Sequence, residues 1–381
     1  MSRFYDLISQ PVREMGQYRP GDPSKLLHPT NTRPRRVRLD SNENPFGPSP
    51  RALEAMRFAH PAIHTYPDDT CTELRLKLGA HHGVSAEQIL VTVGSTGMLS
   101  LLCQTFLGPG LNAVTSERSF IVYSMAVHSI GAQLIETPMR NDAFDLEAIY
   151  NAIDEHTRII FLANPNNPTG TLVPAADIET FLAAVPGHVV VVLDEAYYEF
   201  GQHFARLRNV EYPTSLQHLN RGASVVILRT FSKVHGLAGL RIGYGIGPAE
   251  VLAYCARMQS TFSVSSIAQA AALAALDDQV HIGRTVASNA SQAQILGVGL
   301  SELDFRVTPT WANFFYCDVG EDAATFADRL RDKGVSVRPL GAWGAPTCIR
   351  ISIGTPEQNQ FLLNAARKVA AAAPPSAGDS R

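Results

Sequence analysis

No pairing signal joins the five cysteines: Cys71, Cys103, Cys255, Cys317 and Cys348 are odd in number, scattered and without a Cys-x-x-C spacing. That speaks against a disulfide framework and a zinc site alike, and makes a reducing, cytoplasmic setting the expectation. Charge of one sign is also lacking. The 32 Lys and Arg stand against 35 Asp and Glu, a formal net charge of −3, so no global field steers the chain onto nucleic acid or an anionic membrane. The one basic cluster, Arg33, Arg35, Arg36 and Arg38 around Pro34, reads as a solvated arm. No window approaches about 18 uninterrupted apolar residues, and MSRFYDLISQPVREMG has no apolar core of signal-peptide length. The 12 histidines show no metal-ligand spacing, so no metal is expected, and no internal repeat is present.

What is there is a chain of 381 residues, enough for two domains at about 150 residues each. Residues 1–45 are rich in Pro, Arg and Asn and show neither helical nor strand periodicity, which suggests an N-terminal arm. Short apolar runs then alternate with segments of helical period: ILVTV (89–93), AVT (113–115), QLIET (133–137), RIIFLA (158–163), VVVVL (189–193), VVIL (225–228) and RIGYG (241–245). Runs apolar at every position suit strands covered on both faces, so the expected class is α/β, a doubly wound, mostly parallel sheet spanning residues 46–275. From 276 the rhythm changes to a long helix (279–303), then FRVTP, NFFYCDV, a helix near 322–333, VSVRPL, IRISIG and a final helix. This reads as a smaller C-terminal α+β domain over 276–370, followed by a frayed tail at 371–381.

Ligands of open parallel sheets bind beyond the carboxyl ends of the strands, and there the polar residues collect. Gly94-Ser95-Thr96 follows ILVTV, Asn164-Pro165-Asn166-Asn167-Pro168-Thr169-Gly170 follows RIIFLA, Asp194-Glu195-Ala196-Tyr197 follows VVVVL, and Arg229-Thr230-Phe231-Ser232-Lys233 follows VVIL. Gly94, Ser95 and Thr96 open a helical segment, either as a plain cap or as amides aimed at an anion. With Thr230, Ser232 and Arg241 they would suit a dianionic phosphate. Lys233, in a sheet crevice, has the setting of a lysine that forms a Schiff base. Asp194 closes the most apolar strand, where a carboxylate needs a cationic or N–H partner; a protonated pyridine nitrogen is one such partner. Tyr197 and Asn167 are placed to donate to a ring hydroxyl, although the Asn-Pro heptapeptide also reads as two successive turns.

In this order, "NPNNPTG", "DEAYYEF" and "TFSKVHGLAGLRIGY" resemble the fold-type-I pyridoxal-phosphate aminotransferases, from about Tyr18 to the final helix. "YRPGDP", "LDSNENPFGPS", "VSVRPLGAWG" and "IRISIGTPEQN" resemble the histidinol-phosphate branch. The resemblance implies pyridoxal 5'-phosphate held on Lys233, with Lys233 also the base at the substrate Cα. It implies Asp194 on the pyridine nitrogen, Tyr197 and Asn167 on the phenolic oxygen, and Phe120 stacked on the ring. Gly94, Ser95, Thr96, Thr230, Ser232 and Arg241 would hold the phosphate, joined by Tyr66 from a second subunit of a homodimer with shared active sites. Arg350 would clamp the substrate carboxylate, and Tyr18 and Arg338 resemble contacts to a substrate phosphate. The partners implied are a small-molecule amino donor and a 2-oxo acid, exchanged in ping-pong fashion with glutamate and 2-oxoglutarate. Read singly, Phe120 could be core, Tyr66 a surface tyrosine, and Arg350, opposite in phase to Ile349, Ile351 and Ile353, a surface arginine.

The chain departs from that branch at Thr96-Gly97-Met98, where an acidic pair is usual, and at Phe262-Ser263-Val264-Ser265, often Phe-Asn-Val-Asn. An aromatic amino-acid aminotransferase and a threonine-phosphate type of decarboxylase therefore stand as alternatives. A sensor domain of a transcription regulator is disfavoured, because 45 Pro-rich residues are too few for a DNA-binding domain.

Overall fold

The structure, a computed structural model, describes residues 4–14 and 36–371. Tyr18, Arg33, Arg35 and most of the C-terminal tail lie outside the described residues. The strands in chain order are β1 (Val37–Arg38), β2 (Ile89–Thr92), β3 (Asn112–Ser116), β4 (Gln133–Thr137), β5 (Met139–Arg140), β6 (Ala143–Phe144), β7 (Thr157–Ala163) and β8 (Val190–Asp194). They continue with β9 (Val225–Thr230), β10 (Gly243–Ile246), β11 (Arg306–Thr308), β12 (Phe314–Asp318), β13 (Val335–Ser336), β14 (Arg338–Pro339) and β15 (Cys348–Ser352).

All seven apolar runs read from the sequence fall in one sheet of order β2-β10-β9-β8-β7-β3-β4. Neighbours pair in parallel from β9 to β4, while β10 runs antiparallel to both β2 and β9. Central β8 and β9 are buried at every position, whereas edge strand β4 is half exposed, which is why QLIET carries polar residues and VVVVL does not. The sheet and its covering helices enclose one large apolar core.

A second core lies under the four-stranded sheet β11-β12-β15-β14, built from Phe315, Ile349, Ile351 and Leu362 among others. The helix Gln279–Ser301, its first turn capped by Asp278 accepting from the His281 amide at 3.1 Å, runs along this core. Strand β1 pairs in parallel with β13, and Val37 and Leu39 are buried in the second core. The segment read as an aperiodic arm thus contributes a strand, two residues long and too short for alternation to register.

Candidate active site

Because β7, β8 and β9 are parallel, the residues that follow them arrive at one rim. Strand β10 runs the other way, so Arg241, which precedes it, reaches the same rim. A cavity of about 280 Å³ opens there, lined by Ser95, Thr96, Phe120, Asn167, Asp194, Tyr197, Thr230, Ser232, Lys233, Arg241, Arg338 and Arg350. These were the residues marked along the sequence.

One end of the cavity gathers a helix start, several hydroxyls and a guanidinium. Gly94, with φ +71°, starts the helix Gly94–Phe106, and a Cβ there would stand 2.7 Å from Arg241 Nη2. Gly243 lies still closer, since its Cβ would meet the Ser95 amide nitrogen at 2.5 Å. Two glycines therefore allow β10 and the guanidinium to press against the positive end of the helix. Thr230 and Ser232 share a hydrogen bond of 3.0 Å, and Arg241 Nη1 donates to Ser232 Oγ at 3.3 Å. In the departure at Thr96-Gly97-Met98, Met98 is fully buried in the core, so the side chain at 98 faces away from the cavity.

At the floor, Asp194 is 5% exposed and accepts from the Tyr123 hydroxyl at 3.0 Å and the Ala196 amide at 3.2 Å. Burial outweighs both bonds and pushes its carboxyl up to about 6. Lys233 donates from Nζ to the Ser41 carbonyl at 3.3 Å. Burial, then the neighbouring Arg350 and Arg241 charges, bring its amine down to about 7, against the opposing pull of Glu43 and Asp194. Tyr197 is buried, and its hydroxyl accepts from Asn42 Nδ2 at 3.0 Å.

The opposite wall comes from the small sheet. Arg350 is 6% exposed, donating to Asn167 Oδ1 at 2.6 Å and to the Asp40 carbonyl at 2.9 Å. The face opposite its isoleucine neighbours is covered by the large sheet's rim, which excludes the surface-arginine reading. Arg338 and Tyr316 are its register partners on β14 and β12 and share its face. Half-buried Phe120 meets Tyr123 edge-on at 5.7 Å. Tyr66 is not brought to this cavity in the single chain: it is 82% exposed and stacks on Phe262 with ring centroids 4.5 Å apart.

The family model for aminotransferase class I and II matches residues 34–365. The chain belongs to that family. It is 43% identical over 97% of its length to histidinol-phosphate aminotransferase 1 of Thiobacillus denitrificans, covering 95% of that protein. It is 41% identical over 97% of its length to histidinol-phosphate aminotransferase 2 of Pseudomonas aeruginosa, covering all of it. The crystal structure of histidinol-phosphate aminotransferase from Sinorhizobium meliloti in complex with pyridoxal-5'-phosphate superposes with a TM-score of 0.81, at 30% identity over 88% of this chain and 91% of that one. The fold is that of the fold-type-I pyridoxal-phosphate aminotransferases.

Sequence reasoning passed over four residues of this aminotransferase's site. Ser41, Asn42 and Glu43 line the cavity, and Tyr123 lies under Asp194. "SNEN" and "ERSFIVY" contain them, but only the folded chain shows which of their polar atoms meet the strand ends.

Proposed function

We propose that this aminotransferase works with pyridoxal 5'-phosphate on histidinol phosphate as amino donor, with glutamate and 2-oxoglutarate as the other pair. The residues fit the cofactor: Asp194, buried with only neutral donors around it, is the partner a cationic ring N–H requires, and the cradle of Ser95, Thr96, Thr230, Ser232 and Arg241 suits a phosphate dianion. Tyr197 and Asn167 would hold the phenolic oxygen and Phe120 the ring face. When bound, the cofactor supplies an electron-accepting ring that stabilises negative charge at the donor's Cα. Asp194 keeps that end of the site anionic. Lys233 Nζ, brought down to about 7, takes the proton from the donor Cα in one half-reaction and returns one to the oxo acid's carbon in the other.

The observation that carries the substrate is the pairing of Arg338 with Arg350 across β14 and β15. Two guanidinium groups side by side on one face repel unless an anion sits between them. The phosphate of histidinol phosphate and a carboxylate of glutamate answer the same need, which lets one site serve both half-reactions. The two relatives at 43% and 41% identity carry the same substrate in their names. A panel of half-reactions, followed by the loss of the visible absorbance band on amino transfer, tests this. Histidinol phosphate should exceed phenylalanine in kcat/KM, and no CO₂ should appear; preference for phenylalanine, or CO₂ release from phosphorylated amino acids, would overturn it.

The working unit in this reading is a homodimer. Phe58, Ile63 and Tyr66 are 79%, 58% and 82% exposed, large apolar side chains within one short stretch that a second copy is suited to cover, which would bring Tyr66 to the other subunit's phosphate. The five free, buried cysteines support a cytoplasmic setting. The proposed domains are an arm (1–45), a large domain (46–275) and a small domain (276–370).

A further inference from the structure

Strands β5 and β6 form a hairpin whose two-residue turn, Asn141-Asp142, has φ of +53° and +61°. This is the left-handed geometry that matches strand twist and that Asn and Asp tolerate. The turn places the Asp142 carboxylate between the two cores. Oδ1 accepts from Arg118 Nη1 at 3.2 Å, and Oδ2 accepts from Arg306 Nη1 at 3.0 Å and Thr308 Oγ1 at 3.2 Å. The Asp142 carbonyl accepts from Thr171 Oγ1 at 2.9 Å, just past the Asn-Pro turn of the cavity rim. The side chain is 11% exposed.

Each partner leads to the active site. Arg306 and Thr308 lie on β11, in the sheet that carries Arg350 and Arg338. Arg118 precedes Ser119 and Phe120, its carbonyl accepts from Asn166 Nδ2 at 3.1 Å, and its guanidinium lies near the hydroxyl of Tyr316, the register partner of Arg350. We propose that Asp142 is a positioning residue: its carboxylate clasps Arg118 and β11 together and so sets the small sheet where Arg350 and Arg338 reach the substrate's anion. Without that negative charge, Arg118 keeps Glu117 and Arg306 keeps Asp318 as carboxylate partners, but no anion bridges the two arginines across the seam, and β11 loses the charge-assisted tie that holds the small sheet in place. The inference rests on the anion-site reading above.

The test is Asp142→Asn in the cofactor-loaded enzyme, which keeps the shape and removes the charge. KM for histidinol phosphate and for 2-oxoglutarate should both rise about ten-fold, the scale of one misplaced charge-assisted contact, with kcat within about two-fold. Bound cofactor should be unchanged. Should Asp142→Asn fold poorly, the double variant Arg306→Gln/Thr308→Val cuts only the contacts to β11 and should show the same split. Unchanged KM or a fall in kcat alone would overturn the proposal. Arg350→Ala separates the two readings: if it leaves KM unchanged, the anion site fails, whereas if it raises KM while Asp142→Asn does not, only the role of Asp142 fails.

Discussion

The Tyr123 hydroxyl donates to Asp194 Oδ2 at 3.0 Å, and the Tyr123 ring stacks on Phe161 at 4.6 Å. The carboxylate at the end of β8 is thereby fixed by a fully buried phenol that is itself clamped from the neighbouring strand β7. A carboxylate held so firmly in an apolar setting is poised for a cationic partner and is costly without one.

That cost has a sign. The folded-state value for Asp194, about 6, lies above its usual 3.8, so the folded protein binds the extra proton between those values and loses stability as pH rises through them. In cofactor-free protein, Asp194→Asn should raise stability at pH 8 by roughly 3 kcal/mol, with the gain vanishing below about pH 4. The same variant should lose at least about 100-fold in kcat. Thermal unfolding at the two pH values and steady-state assays check both.

Lys233 titrates in the opposite sense. Its amine, lowered to about 7, is increasingly neutral above that pH, and only the neutral amine attacks an aldehyde. Capture of pyridoxal phosphate by cofactor-free protein should therefore accelerate through about pH 7 and level off well below the ordinary lysine range. Lys233→Ala should give no borohydride-stable adduct. A midpoint near 10 in stopped-flow absorbance would contradict the lowered value.

Arg350→Lys keeps the charge but loses the planar fork that spans Asn167 and Asp40. KM for 2-oxoglutarate should rise about 10- to 100-fold, more than kcat falls. Steady-state kinetics with both substrates measure the split.

Gly243→Ala places a methyl group 2.5 Å from the Ser95 nitrogen and 2.7 Å from the Gly94 carbonyl carbon, both backbone atoms. Something must shift, and the helix start proposed to cradle the phosphate is what it pushes. A loss of about 1–3 kcal/mol in stability is expected, together with weaker cofactor retention on dialysis, whereas Gly239→Ala, with open space around it, should show neither.

Mixing Tyr66→Ala with Lys233→Ala tests the shared site. If Tyr66 serves the other subunit, random reassortment restores one complete site per mixed dimer, about a quarter of all sites. No recovery after subunit exchange would place each site within one chain.

The seven strands were legible because a doubly covered sheet writes uninterrupted apolar runs, and Asp194 and Lys233 because they stand where those runs stop. Tyr123, Asn42 and Asp142 were not, since each acts through an atom that meets its partner only across the fold: Tyr123 and Asp194 are 71 residues apart, Asn42 and Tyr197 155. Arg350 was half legible. Alternation gave its face, but nothing in the local pattern says that the rim of a distant sheet covers that face. Strand β1 was hidden by its length.

That strand bears on how the protein can be recombined. Val37 and Leu39 lie in the core closed by β12, β15 and the final helix, and the Leu39 carbonyl accepts from the Ser352 amide at 2.8 Å. The seven-stranded sheet is in this sense an insertion within the smaller unit. On the proposed domain bounds, grafting the substrate-facing unit of one relative onto the cofactor-facing unit of another therefore takes two junctions, one near residue 45 and one near residue 275. A single-crossover chimera would inherit a β1 fitted to the wrong β13.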